Sequence, residues 1–307
     1  MKLIFIGTSA FARPTLAALA RRHHVLLVVT QPPLPAGRHG RLQTPPVEEE
    51  AKALDLPVYQ PERINRQEAV AKLRSVPADA FVVASYGQLL KPVVFAQPPS
   101  GTINLHASLL PAYRGAAPIQ WAIIRGETTT GITTFLIDQG MDTGDILLQR
   151  SVPIDPDETA GELEARLAQR GAEVILDTLD GLQRSTLSPI PQPGNGVSLA
   201  PLLSRDDGRI KWSSPAPKIH NLVRGTNPWP GASTDLGKER VKIHRTRLTG
   251  INSGPIAPGH IGLRETGRLL VGTEDWMLEI LEIQRPGRPR ISGREFLNGL
   301  RGSAAFT

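Results

Sequence analysis

Over the first 180 residues, short β-branched runs alternate with stretches of helical period, and few folds accommodate that rhythm. Leu3–Ile6, Val25–Thr30, Ala80–Ala84, Thr102–Asn104, Ile132–Ile137 and Ile146–Val152 read as strands. Phe11–Arg22, Pro45–Leu54 and Gln67–Val76 lie between them and read as helices. Strand–helix–strand order demands right-handed crossovers and a mostly parallel sheet covered on both faces. Thr159-Ala160-Gly161-Glu162 has capping-box spacing and opens a further helix, with apolar positions at Leu163, Leu167, Val174 and Leu179. The expected fold class is α/β: a doubly wound, mostly parallel, Rossmann-like sheet.

The texture changes after Gln183. Pro189, Pro191, Pro193, Gly194, Gly196 and Pro201 puncture the segment, which reads as extended linker. Beyond it, Val241–Thr246, Gly259–Leu263, Leu269–Gly272 and Met277–Ile283 are short strand-like runs separated by Gly and Pro turns, as in a small β-barrel. The expected organisation is therefore a domain over 1–182, a linker over 183–208, and a C-terminal OB-like barrel over 209–307.

Charge separates the same regions. Residues 1–200 hold 18 Lys+Arg against 19 Asp+Glu, and residues 201–307 hold 17 against 10. The cationic excess of the chain lies in its last third, where a polyanion would be met. There is no cysteine, which excludes disulfides, thiolate metal sites and a cysteine nucleophile. No apolar run reaches the roughly 18 residues of a membrane span, and the opening Leu3–Ile6 run is too short for a signal peptide. A cytoplasmic monomer that needs neither metal nor membrane is expected.

Two segments carry candidate chemistry. In Ile103-Asn104-Leu105-His106-Ala107-Ser108-Leu109-Leu110-Pro111, strand alternation points Asn104 and His106 the same way, at a strand end where doubly wound folds place their ligands. An amide can hydrogen-bond a developing oxyanion, and a neighbouring imidazole can carry a proton near neutral pH. In Asp138-Gln139-Gly140-Met141-Asp142-Thr143-Gly144-Asp145, a tight turn projects carboxylates from another strand end. A carboxylate beside His106 would orient its ring, and spacing alone leaves Asp138, Asp142 and Asp145 as alternatives.

Asn104-Leu105-His106-Ala107-Ser108-Leu109-Leu110-Pro111, then Tyr113-Arg114-Gly115-Ala116-Ala117-Pro118-Ile119-Gln120-Trp121, then Asp142-Thr143-Gly144-Asp145, resembles the formyltetrahydrofolate-dependent formyltransferases in residue identity, order and separation. The resemblance implies that Asn104, His106 and Asp142 are the catalytic trio and that 10-formyltetrahydrofolate is the formyl donor. It implies a folate pocket lined by Ser108, Leu109, Leu110 and Pro111 and by Tyr86, Gln88, Leu89 and Leu90, with Asp138 to Met141 closing over the pterin. Phe11, following Gly7-Thr8-Ser9-Ala10, would help form the pocket for the acceptor's methionine side chain.

Two further stretches resemble the members that formylate initiator methionyl-tRNA. Pro35-Ala36-Gly37-Arg38-His39-Gly40-Arg41 is similar to a loop those enzymes set against the acceptor stem, and Arg38 and Arg41 suit phosphate contact. Arg209-Ile210-Lys211-Trp212 and Asn227-Pro228-Trp229-Pro230 resemble the entrance to their C-terminal barrel. One departure is Leu202-Leu203-Ser204-Arg205-Asp206-Asp207, where a more lysine-rich approach to that barrel is the family's pattern.

Rival readings are a formyltransferase acting on a sugar-nucleotide amine, a formyltetrahydrofolate deformylase, and an RNA-binding protein without activity. The arginine loop and the basic last third oppose the first two, and the intact Asn/His/Asp set opposes the third. An NAD-dependent oxidoreductase is disfavoured because Gly7-Thr8-Ser9-Ala10-Phe11-Ala12 lacks the G-x-G-x-x-G phosphate turn.

Overall fold

The computed structural model describes residues 1–36, 41–262, 266–300 and 305–307. The chain divides into two compact units: Met1–Gly115 with Thr130–Val152 and Glu164–Leu199, and Ala116–Thr129 with Pro153–Leu163 and Ala200–Thr307.

The first unit is built on a seven-stranded sheet. Its strands are β1 (Lys2–Gly7), β2 (His24–Val29), β5 (Val58–Tyr59), β6 (Ala80–Ala84), β7 (Thr102–His106), β8 (Thr129–Leu136) and β9 (Ile146–Pro153), in the order β5-β2-β1-β6-β7-β8-β9. A separate hairpin pairs β3 (Leu34–Ala36) with β4 (Arg41–Gln43), so the segment read as a plain loop has paired flanks. Pairing is parallel from β5 through β7 and turns antiparallel between β7 and β8. Leu3, Ile4, Phe5 and Ile6 are all fully buried, as a central parallel strand covered on both faces requires. Each such side chain stabilises the fold by about 1.5–3 kcal/mol relative to exposure.

The helices follow the crossover logic. After a short 3-10 turn at Ala10–Ala12, α1 (Arg13–Arg22) has Pro14 in its first turn and Arg21 and Arg22 in its last, where fixed φ and the helix dipole favour them. α2 (Pro46–Ala53), α3 (Gln67–Arg74) and α4 (Pro92–Phe95) complete the N-terminal half. Ile4, Ile6, Val29, Leu73, Phe81 and Val94 form one of its core clusters. β2 leads to β5 at one edge and the chain then returns to β6 beside β1, so strand order reverses between β1 and β6. Such a reversal opens a crevice at the carboxyl ends of those strands.

α5 (Pro118–Ile124) belongs to the second unit, and α6 (Ala160–Gln183) follows β9. The capping box read from sequence is formed: Glu162 accepts from the Thr159 N–H at 2.8 Å, and the Glu162 N–H donates to Thr159 Oγ1 at 3.3 Å. On the sheet side of α6, Thr178 and Thr134 share a buried hydroxyl hydrogen bond of 2.8 Å, and Gly171 lies against Leu105 of β7.

In the second unit, α7 (Ala216–Gly225) precedes β10 (Ala232–Leu236), β11 (Glu239–Asn252), β12 (Ile261–Gly262), β13 (Leu270–Gly272), β14 (Trp276–Gln284) and β15 (Arg290–Ser292), with α8 (Gly293–Asn298) last. The antiparallel sheet runs β10-β11-β14-β13-β12, with β15 on β14. Its two edges are joined through the final residues. Phe306 bridges Leu236 at the end of β10, and Ala305 bridges His260 before β12, which turns the sheet into a barrel. Gly259 (φ +83°) receives that strand, and a Cβ there would collide with the Phe306 carbonyl. Inside, the Phe306 ring stacks on Trp212 at 5.6 Å and on Phe296 at 6.3 Å. Helices α5 and α7 pack closely because Gly225 presents no side chain to the Gln120 carbonyl.

Candidate active site

β7 delivers the first two candidate groups. Ile103 and Leu105 are buried to one side of the strand, so Asn104 and His106 share the other. Asn104 is half-buried, and among the described residues its amide has no hydrogen-bond partner. His106 is 6 % exposed and rests edge-on against Phe135 with ring centroids 6.5 Å apart.

The turn after β7 fixes the imidazole. Ser108 Oγ donates to the Ala112 carbonyl at 2.6 Å, and Thr133 Oγ1 donates to the Ser108 carbonyl at 2.6 Å. Gln149 Nε2 donates to the Leu110 carbonyl at 2.8 Å, and Leu110–Pro111 is cis. This folding brings the Tyr113 carbonyl to 2.9 Å from His106 Nε2. A carbonyl only accepts, so Nε2 carries a proton and Nδ1 is the nitrogen left to gain or lose one.

Nδ1 faces a carboxylate. Asp142 Oδ2 lies 3.7 Å from it and also accepts the Gly115 N–H at 2.8 Å. Asp142 adopts a left-handed backbone (φ +54°) within a turn that Asp138 organises by accepting from the Gly140 N–H at 3.0 Å and the Thr143 hydroxyl at 2.6 Å. Gly144 is required beside it, because a Cβ would strike the Leu136 carbonyl. Of the three carboxylates that spacing left open, Asp142 is the one paired with His106, and Asp138 holds the turn.

The crevice end of β1 and β6 is tied together by Ser9 Oγ donating to Ser85 Oγ at 2.8 Å. Thr8 Oγ1 and Gln31 Nε2 both donate to the Tyr86 carbonyl, at 2.9 and 2.6 Å. Ser85 is again left-handed (φ +45°). Burial, with Tyr59 nearby, pushes the Tyr86 phenol up to about 12, and among the described residues its hydroxyl has no hydrogen-bond partner. Gln88 gives its amide to backbone, accepting from the Ile64 N–H and donating to the Glu62 carbonyl, both at 3.0 Å. Leu90 and Leu110 are buried, whereas Leu89 and Met141 stand 66 % and 63 % exposed on the loops that leave the sheet. Leu109 packs over Gly131, where no side chain has room. Phe11 is buried in the 3-10 turn after β1. Arg41 begins β4, whereas Arg38 lies outside the described residues.

Sequence reasoning missed Gln192. Its Nε2 donates to the Asp142 and Gly144 carbonyls at 2.8 Å each, and its Oε1 accepts from Arg114 Nε and Nη2 at 3.1 and 2.6 Å. A glutamine between two prolines in a loop carries no local sign of such a role.

A strand-end amide, a histidine with one ring nitrogen committed to backbone, and a carboxylate facing the other form a set suited to acyl chemistry. The family model described as formyl transferase matches residues 1–179, and that of the formyl transferase C-terminal domain matches 202–301. The chain belongs to the formyl transferase family. A protein of Solibacter usitatus named methionyl-tRNA formyltransferase is 50 % identical over 98 % of this chain and 96 % of its own. A protein of the same name from Thermodesulfovibrio yellowstonii is 45 % identical over 97 % and 95 %.

Among solved structures, the fold matches the sugar 3N-formyl transferase WlaRD, determined with dTDP and 5-N-formyl-THF. The TM-score is 0.70 at 17 % identity, over 94 % of this chain and 99 % of that one. It also matches HypX from Aquifex aeolicus in complex with tetrahydrofolic acid, with a TM-score of 0.67 at 17 % identity, over 98 % of this chain and 48 % of that one. At such identity these two structures speak for the fold. Among the described residues no helix is long and apolar enough to cross a membrane.

Proposed function

We propose that this chain transfers the formyl group of 10-formyltetrahydrofolate to the α-amino group of methionine on initiator methionyl-tRNA. The observation that carries the chemistry is the fixed His106 imidazole, with Nε2 spent on the Tyr113 carbonyl and Nδ1 opposite Asp142. Near-full-length relatives at 50 % and 45 % identity that bear the name methionyl-tRNA formyltransferase support this acceptor over a sugar-nucleotide amine or water. On this reading residues 1–182 form the catalytic domain, 183–208 the linker and 209–307 a tRNA-binding barrel, in a cytoplasmic monomer.

The unpartnered Asn104 amide fits a formyl oxygen, and the exposed Leu89 and Met141 fit the flat face of a pterin. As the amine attacks the formyl carbon, Asn104 donates to the oxygen on which charge accumulates, and His106, once protonated at Nδ1, adds its positive charge beside it. His106 Nδ1 takes the proton the amine must shed and returns it to the departing folate nitrogen. Asp142 holds the ring and offsets the positive charge it carries between those two events. Ser108 to Pro111, Tyr86, Gln88 and Leu90 shape the donor pocket, largely by fixing backbone. Phe11 borders the methionine pocket, and Arg38 and Arg41 meet acceptor-stem phosphates.

The test is formyl transfer from 10-formyltetrahydrofolate to initiator methionyl-tRNA by the wild type and by His106→Ala and Asn104→Ala. The wild type is expected to transfer, and each variant to lose about 100- to 1000-fold in rate. Folate consumption without transfer to tRNA would refute the acceptor, and full activity in both variants would refute the site.

A further inference from the structure

The segment Ile190–Leu199 reads as a linker, yet it is stitched to both loops that carry the candidate site. Ile190 exchanges backbone hydrogen bonds with Ile146 at 2.8 and 2.9 Å, just beyond the Asp142 turn. At its other end, the Ser198 carbonyl accepts from the Arg114 N–H at 2.9 Å, and Ser198 Oγ accepts from the Tyr113 N–H at 2.9 Å. Between these anchors most side chains are exposed, and Gln192 is turned inward.

The Gln192 amide is fully committed. Both its hydrogens are spent on the Asp142 and Gly144 carbonyls, and its oxygen receives the forked Arg114 guanidinium. Arg114 precedes Gly115, whose N–H holds the Asp142 carboxylate. One side chain therefore joins the backbone of the Asp142 turn to the loop that supplies both the Tyr113 carbonyl and the Gly115 N–H. Movement of one loop relative to the other would change the 3.7 Å separation of His106 Nδ1 from Asp142.

We infer that Gln192, with Arg114 as its counterpart, is a positioning residue for formyl transfer, setting the Asp142 carboxylate against His106. The inference rests on the function proposed above. It assigns no substrate contact to Gln192, so substrate affinity should be insensitive to its replacement and the chemical step sensitive. A displacement near 1 Å at reacting groups costs about 100-fold, so a loss in kcat of about 10- to 100-fold is expected for Gln192→Ala.

Two variants separate the proposal from general destabilisation. Gln192→Glu keeps a strong acceptor for Arg114 but removes both donors to the turn and sets an anion against its carbonyls. Formyl transfer would be measured for the wild type, Gln192→Ala, Gln192→Glu and Asp142→Ala, and for Asp142→Ala combined with Gln192→Ala. The expected result is a fall in kcat for both Gln192 variants, KM for folate and tRNA within about twofold of wild type, and no further loss when Gln192→Ala is added to Asp142→Ala. Full multiplication of the two losses, or a rise in KM with kcat unchanged, would overturn it, as would unaltered kcat in both Gln192 variants. An inactive wild type would instead remove the proposed function, and this inference with it.

Discussion

His106 Nδ1 and Asp142 Oδ2 stand 3.7 Å apart, too far for a formed hydrogen bond and near enough for an ion pair. Asp142 meanwhile has a firm bond to the Gly115 N–H at 2.8 Å, which keeps its carboxylate in place whether or not the ring is protonated. The pair is thus set to engage when Nδ1 takes up a proton, the moment at which the proposed reaction needs the imidazolium stabilised.

Asp142→Asn separates charge from geometry. The amide oxygen can still accept from Gly115, so the turn should persist while the negative charge beside His106 is lost. A fall in kcat of about 10- to 100-fold is expected, a fraction of the 10²–10⁴ that positioned proton transfer supplies. Steady-state transfer kinetics beside a structure of the variant would check this, and undiminished kcat would show that the charge is dispensable.

The second unit should lose stability on acidification. Burial holds His220 below the usual histidine range, only partly opposed by the Pro156 carbonyl, which accepts from its Nε2 at 3.1 Å. Burial likewise lowers His244, with the Gln284 amide opposing. The folded chain therefore resists protonation that the unfolded chain accepts below about pH 6.5, so stability is full above that pH and falls as pH drops toward the folded-state values. Tm measured from about pH 7.5 to 5.5 should decline, and less steeply for the His220→Gln/His244→Gln double variant. An equally steep decline in that variant would place the acid sensitivity elsewhere.

Binding of tRNA should weaken as salt rises, because each phosphate neutralised by Arg or Lys releases counterions with a slope of about −0.7 to −0.9 per contact. Arg38→Ala should lower affinity for methionyl-tRNA and reduce that slope by about one. Filter binding across a salt series would read both quantities. A slope shared by wild type and variant would take the loop out of the interface.

Phe306→Ala should open the barrel from within. The ring is 2 % exposed and stacks on Trp212 and Phe296, so a loss of about 3–5 kcal/mol is expected from the second unit. Denaturant unfolding followed by tryptophan fluorescence would report it through Trp212. An unchanged midpoint would mean that the terminal strand is not needed for closure.

Local pattern made much of this molecule legible. β6 begins and ends where alternation and β-branching placed it, and the Thr159–Glu162 spacing matches a formed capping box. Asn104 and His106 could be set on one face from a two-residue period alone. The choice of Asp142 could not be made that way, because it depends on Gly115, 27 residues away. Gln192 was invisible for the same reason, since its partners lie 48 to 78 positions away and leave no periodicity. Helix α7 hid among short strand signals. Its face of Ile219, His220 and Val223 includes a buried histidine, which reads as polar in a hydrophobic pattern.

Five non-glycine residues among those described hold a left-handed backbone, and three of them, Ser85, Tyr113 and Asp142, sit on the loops leaving β6, β7 and β8. Each such conformation costs about 1 kcal/mol or more, and glycine would remove that cost at once. Their backbone geometry places a local stability cost on the loops that carry the candidate site. Substitution to glycine at Ser85 would relieve the strain while removing the hydrogen bond from Ser9 Oγ, so the change in stability reads the balance of the two.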